Sequence, residues 1–549
     1  MQILRKLVLH SVAVLAAVLP AAAQSYKVTN LLSDGSVAAT NTDPNFKNPW
    51  AISSSGTFWI SAANTGYNYV VPAAGTISFK VIVPTAASPN TAPGLPAGSV
   101  TTGGAVGMLL SNGTKASFIF STLDGTISGW NSKLGTANAI STVAINNSAA
   151  GASYPGLAIL NIASGGVTSK SYILAANFGT GNAIEVYDSS FAPTKLTGSF
   201  TDPTLPAGYA PFSVHVIGSQ VFVNYALRTS TAPYLSVNGA GNGVVSVFDT
   251  SGTFVSRVAT AGNLNAPWGI AFAPTNFGIF SGDLLIGNFG DGIINVFDPK
   301  TFAYLGQLVD STGKPLQYAS LWELLAGGTT VTGTTAVAGG DTSTVYFTAG
   351  LDKEQHGLFA GISNAATAGA TPTFGFSAAA PSATVTAGGT TQVQLSLAPV
   401  NSFSGSVSLA CSGLPTNATC SFSPAQVSVS STAPTIVTAT ITTNTKTAAL
   451  QPLRKPGMIA GITAAFLLPF ASLLGLRKRL RSVTALRVMG MAMILMASAA
   501  VVGGCSDGSS TTATSTTPAP VTPAGTSTIT IAATAGTVTQ QTSLALTVK

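Results

Sequence analysis

Along most of this chain apolar and polar residues alternate in short runs that stop at Gly, Pro, Asn or Asp. A period of two with such punctuation predicts β-strands joined by tight turns. "LLIGNFGDGIINVFDP" (Leu284 to Pro299) shows the pattern, and "ILAANFGTGNAIEVYDS" (Ile173 to Ser189) nearly repeats it. Each reads as two strands pinched around a glycine turn. Six stretches share a longer plan of strand, turn, strand, Gly-rich turn and strand. They begin at Asn48, Ala105, Tyr154, Ala210, Ala266 and Ala319, so successive starts are 49 to 57 residues apart. A small multi-stranded sheet repeated at this spacing cannot bury both faces alone, and stacking its copies around an axis solves the problem. Residues 24–365 therefore predict a six-bladed β-propeller, with seven blades as the alternative count. A strand from Ser25 to Leu32 is expected to close the ring on the last blade.

From Thr373 the strands shorten and the turns change. "GSVSLACSGLPTNATCSFSP" and its neighbours predict an immunoglobulin-like β-sandwich over 373–447. Cys411 and Cys420 bracket a hairpin there, and a disulfide between them is expected. Two apolar runs follow, 457–476 and 488–504, separated by the basic stretch 477–487. Their length and lack of charge predict a two-helix transmembrane hairpin with a cytoplasmic loop. A Ser/Thr/Pro linker spans 505–523. Residues 524–549 alternate again and predict a β-hairpin that completes the sandwich. The fold class expected is thus all-β, with a membrane hairpin near the C-terminus.

Composition changes the picture in one respect. The net charge of +7 invites a nucleic-acid partner, but nine of the 23 basic residues lie in the first ten residues or beside the apolar runs. The remaining fourteen face sixteen acidic residues, so no basic footprint for nucleic acid is left. Arg5 and Lys6, the apolar run after them and "AAAQ" predict a signal peptide over 1–23. The chain is then expected to be exported and membrane-anchored, with propeller and sandwich outside the cytoplasm.

"NPWAI", "STLDGTISGWN", "NAPWGIAFAP", "GNFGDGIINVFDP" and "DKEQHGLF" resemble an uncharacterised family of secreted bacterial propeller proteins. More loosely they resemble the NHL and SMP-30-like six-bladed propellers. The resemblance runs from Tyr26 to Ser363 and implies no established activity. "FSGSVSLACSGLPTNATCSFSP" and "TPAGTSTITIAATAG" look like bacterial Ig-like repeats, and "LPFASLLGLRKRL" resembles a sorting signal placed away from the terminus.

An asparagine recurs at the end of the second strand, at Asn64, Asn177, Asn224 and Asn288. Asn before a Gly-containing turn ordinarily caps backbone. SMP-30-like lactonases bind a divalent cation through Glu, Asn and Asp, since hard cations take oxygen ligands. Asn177, Asn224, Asn288 and Glu323 are the candidate metal set at the channel mouth, and a divalent cation is the cofactor they would take. No motif calls for any other. His215 reads as a packed, hydrogen-bonded histidine and His356 as a ring-closure contact. Cys505 follows a basic stretch, an apolar run and Gly-Gly. It reads as a free or buried thiol, with lipidation as the alternative. The function expected is a surface platform binding an extracytoplasmic protein or glycan. The alternative is a metal-dependent lactonase- or lyase-like enzyme.

Overall fold

The structure, a computed structural model, describes residues 25–88, 93–328, 339–365, 372–401, 403–430, 433–445 and 521–549. The expected signal peptide at 1–23, the apolar runs at 457–476 and 488–504, the loop 477–487 and Cys505 lie outside them. The transmembrane hairpin does not stand as part of the fold. Among the described residues no helix is long and apolar enough to cross a membrane, and the α-helix found there is the single turn Leu351–Glu354. A run's hydropathy measures its transfer out of water. It does not by itself make the run a helix.

Six small sheets carry the first part of the chain. Their innermost strands are Pro49–Ser54, Pro96–Thr101, Gly156–Ser164, Tyr209–Ile217, Pro267–Phe272 and Leu321–Ala326. Each touches the next, and the sixth touches the first, so they close a ring around an axis. This is a β-propeller. In the sixth blade the fourth strand is Tyr26–Ser33, antiparallel to Leu358–Asn364, and the two-residue strand Asn41–Thr42 pairs parallel on its outer side. Asp34, just past that strand, accepts from Lys47 at 3.1 Å and lies 2.7 Å from His356 Nδ1, which ties the seam between blades six and one. Burial pushes its carboxyl up, but hydrogen bonds from Ser36, His356 and Lys47 outweigh that and hold it well below the usual range.

The second blade departs from expectation. Its inner strand is Pro96–Thr101, upstream of Ala105, and Ala105, Met108 and Leu110 are instead buried beneath blades two and three. The glycine-threonine run after Thr101 breaks the alternation that marks the other blades. Blade three has three strands among the described residues, and Pro193 and Thr194 supply only a short bridge at its outer edge.

Five inner strands carry a register break near their start: Pro49 to Ile52, Pro96 to Ser99, Pro211 to Ser213, Pro267 to Ile270 and Leu321 to Leu324. A bulge re-aims side chains and frees a carbonyl from the ladder. Here it also lets neighbouring blades approach closely. A Cβ on Gly269 would stand 2.3 Å from the Trp322 carbonyl oxygen, so no side chain fits at that crossing.

The second part of the chain is a two-sheet sandwich. One sheet holds Thr373–Ala378, Thr390–Val400, Thr435–Thr442 and Thr419–Ser423. The other holds Ser382–Val385, Val538–Val548, Gly525–Ala535, Gly405–Ser412 and Val427–Val429. Cys411 and Cys420 are disulfide-bonded. Their strands do not pair with each other, so the bond joins the two sheets rather than crossing a hairpin. The sandwich docks on blade five. Tyr304 OH donates to Ser377 Oγ at 2.9 Å, Gln540 Nε2 to Thr312 O at 3.0 Å, and Ser396 Oγ to Leu305 O.

Candidate functional site

The two ends of the axis differ because the inner strands change character along their length. The first residues of the strands, with residues after the second strands, put Trp50, Phe178, Phe212, Trp268, Phe289 and Trp322 into one buried cluster. Trp50 stacks on Trp322 with ring centres 3.4 Å apart, and Phe289 stacks on Trp322 at 4.2 Å. Trp268 meets both tryptophans edge-on. Trp322 Nε1 donates to Asn48 Oδ1 at 2.9 Å, and Asn48 Nδ2 donates to Glu354 Oε2 at 2.8 Å. These flat rings plug the axis.

Past the bulges, all six inner strands line a cavity of about 500 Å³. That is the size of an ordinary small-molecule site. Ser53, Ser54, Ser99 and Thr101 make its polar side on blades one and two. Leu157, Val216, Ile270 and Leu324 belong to its apolar sides. His215 and Glu323 are the titratable residues among those lining it.

These two face each other, with His215 Nδ1 3.8 Å from Glu323 Oε1. His215 Nε2 lies 3.0 Å from the Trp268 carbonyl oxygen and 3.2 Å from Ser213 Oγ. A carbonyl only accepts, so Nε2 carries the proton and Nδ1 presents a lone pair. The same carbonyl, released by its bulge, also accepts from Ser213 Oγ at 2.6 Å and from Asn224 Nδ2 at 2.6 Å. Glu323 is 7% exposed. Its Oε1 accepts from the Leu324 amide at 3.1 Å, and its own amide donates to Thr348 Oγ1 at 3.2 Å. Burial pushes the Glu323 carboxyl well above the usual range, and the Leu324 and Ile52 amides offset this only in part. Burial also pushes His215 down to about 4, against the pull of the Trp268 carbonyl. His215 is therefore neutral near pH 7, and Glu323 keeps its proton to higher pH than an ordinary carboxyl. Trp50 Nε1, Trp268 Nε1 and Asn224 Oδ1, buried near them, have no hydrogen-bond partner among the described residues.

These shifts make a stability prediction. A carboxyl whose folded pKa exceeds its unfolded value contributes stability at low pH that is lost as pH rises through the folded pKa. Glu323→Gln has no such loss. Its melting temperature should match the parent near pH 5 and exceed it increasingly above, by an amount equivalent to about 1 to 3 kcal/mol near pH 8. His215, depressed, contributes stability that falls away as pH drops from about 6.5 to about 4, and this acid limb should persist in the variant. Calorimetric scans across pH test both limbs. A pH-independent difference between the two proteins would exclude a buried Glu323 as their cause.

The candidate metal residues are not gathered into one site. Asn177 Oδ1 accepts from the Ser153 and Gly179 amides, and its Nδ2 donates to Glu185 Oε1 at 2.6 Å, all within blade three and its approach. Asn288 Oδ1 accepts from the Asn265 amide, and its Nδ2 donates to the Asn263 carbonyl at 2.7 Å. Both amides hold local backbone. Asn64 Nδ2 likewise donates to the Glu354 carbonyl. Asn224 and Glu323 do converge, through the Trp268 carbonyl and His215. Among the described residues no three His, Cys, Asp or Glu side chains cluster. The pairing of His215 with Glu323 is what sequence reasoning missed. A usable signal existed, since His215 is the one histidine and Glu323 the one acid on two mostly apolar innermost strands, and such strands share one axis.

No family model matches the chain. Two proteins of Acanthamoeba polyphaga mimivirus are similar to it in sequence. "Uncharacterized protein R648" is 28% identical over 351 residues, 62% of this chain and 81% of its own length. "Uncharacterized protein L690" is 30% identical over 353 residues, 61% of this chain and 85% of its own length. These relatives are viral, and they do not carry the expected bacterial kinship. Among solved structures, Kuenenia stuttgartiensis hydrazine synthase is 13% identical, with 57% of this chain and 77% of that one covered and a TM-score of 0.32. A glucose dehydrogenase is 10% identical, with 62% and 100% covered and a TM-score of 0.35. The propeller assignment rests on the strand pairing rather than on these likenesses. By its identity to L690 and the share of that protein it covers, this chain belongs to the L690 family of Acanthamoeba polyphaga mimivirus.

Proposed function

We propose that this propeller is a binding platform whose axial cavity receives one small ligand with an apolar body and a polar head. The observation that carries this reading is the cavity itself, lined by all six inner strands and backed by the aromatic plug. The head group meets His215 and Glu323, and the body lies against the apolar strands. The disulfide between Cys411 and Cys420 supports an exported chain, because such bonds persist in oxidising compartments.

A small-molecule screen on the full chain tests the reading. Three of the five tryptophans stand in the plug, so a ligand seated above it should change tryptophan emission and raise the melting temperature together. Hits should compete with one another. Ligands that stabilise the protein without touching its emission would move the function to the outer loops, where a protein or glycan partner docks. A second reading, proton-transfer catalysis, draws on one observation, a buried carboxyl beside an imidazole whose lone pair faces it. Turnover of a bound hit, lost in both Glu323→Gln and His215→Ala, would favour it.

A further inference from the structure

We propose that the cavity takes an organic cation, a primary ammonium group on an apolar body, with Glu323 as counter-ion and His215 as second acceptor. The inference rests on the cavity-binding reading and names its ligand class.

Geometry carries it. Among the described residues no Lys or Arg lines the cavity, so Glu323 has no cationic partner among the lining residues. His215 commits its proton to the Trp268 carbonyl and offers only an acceptor at Nδ1. Nδ1 and Glu323 Oε1 are 3.8 Å apart, longer than a hydrogen bond. A nitrogen about 2.8 Å from each reaches both, and an ammonium group has donors in several directions. An alcohol can bridge the two groups only as a neutral molecule and supplies no charge to pair with a carboxylate. A carboxylate ligand offers His215 Nδ1, which presents only a lone pair, no donor, and brings a charge that opposes ionisation of Glu323. The apolar wall opposes a small hydrated ion, which would give up its water there, and favours a hydrocarbon body. The burial that pushes the Glu323 carboxyl upward supports the same choice, since a lone buried carboxylate is costly and a paired one much less so. On binding, the ammonium enters charged, the carboxyl becomes carboxylate, and its proton goes to the buffer. Of the residues facing the cavity from all six inner strands, only His215 and Glu323 titrate, and the Thr348 hydroxyl behind Glu323 does not.

The test is calorimetric titration of the full chain near pH 7 with cyclohexylmethylamine, cyclohexylmethanol and cyclohexanecarboxylate. Two buffers of different ionisation enthalpy count protons. The amine should bind about tenfold or more tighter than the alcohol and release protons to the buffer, and the carboxylate should not bind. In Glu323→Gln the amine and alcohol should bind within about twofold of each other. Should that variant not fold, the three ligands and the proton count on the unaltered chain still decide. An alcohol that binds as tightly as the amine, or amine binding without proton release, overturns the cation while leaving the cavity reading in place. Failure of all three to bind, with tryptophan emission unchanged, overturns both.

Discussion

Replacing Trp322 with alanine should lower the stability of the propeller by about 3 to 5 kcal/mol, among the largest effects of any single substitution. The ring is 1% exposed and is stacked by Trp50 on one side and Phe289 on the other. Alanine leaves a hole where four blades meet, and rigid strands cannot collapse into it. The aromatic contacts add about 0.5 to 1.5 kcal/mol each beyond burial. Trp322→Phe separates the causes. It keeps much of the stack and loses the hydrogen bond to Asn48, so it should cost only about 1 to 2 kcal/mol. In the alanine variant the axis also loses its floor, and acrylamide should quench the remaining tryptophans more readily. Thermal unfolding and quenching together measure this. An alanine variant that melts within a degree of the parent would show that the plug is not what holds the ring.

Deleting residues 525–549 should abolish folding of the sandwich and leave the propeller standing. The hairpin places Ile529, Ile531, Leu544, Leu546 and Val548 in the sandwich core, all buried. At about 1.5 to 3 kcal/mol for each large side chain, their loss exceeds what a domain of this size ordinarily holds in reserve. It also strips the pairing partners from Ser382–Val385 and Gly405–Ser412. The propeller loses only peripheral contacts such as Gln540 to Thr312. Limited proteolysis reads the outcome directly. Cleavage should fall throughout 373–445 while a fragment near 25–365 persists. Protection of both regions after the deletion would mean that the first part of the sandwich folds by itself.

Repetition makes the blades legible in the sequence. "GNFGDGIINVFDP" betrays its strands through alternation, and Gly292, at φ 75°, betrays its turn. Asp298 reads as a turn residue for the same local reason, and its carboxylate does accept the Lys300 and Thr301 amides. Features made by long-range contact are hidden. The bulges leave no residue signature beyond a preceding proline, and Leu321 lacks even that. The convergence of His215 and Glu323 depends on ring geometry, not on spacing within either strand. Cys411 and Cys420 are close in sequence, which suggests a hairpin, yet their strands part into different sheets. The apolar runs at 457–476 and 488–504 suggest membrane helices by length alone, but they lie outside the described residues, among which no helix is long and apolar enough to cross a membrane.

The seam between Tyr26–Ser33 and Leu358–Asn364 has a mechanical side. Tyr26 pairs with Asn364, and the Ala365 amide donates to the Ser25 carbonyl at 2.7 Å, so the chain enters and leaves the ring at one point. A force drawn between those two places would not shear the strands. It would open them as a zipper opens, one hydrogen-bonded pair at a time from Tyr26 toward Ser33, with each step resisted only by the pair under load. A ring that heat melts as a whole would thus part under tension at its joint, at small force, with the other five blades still formed.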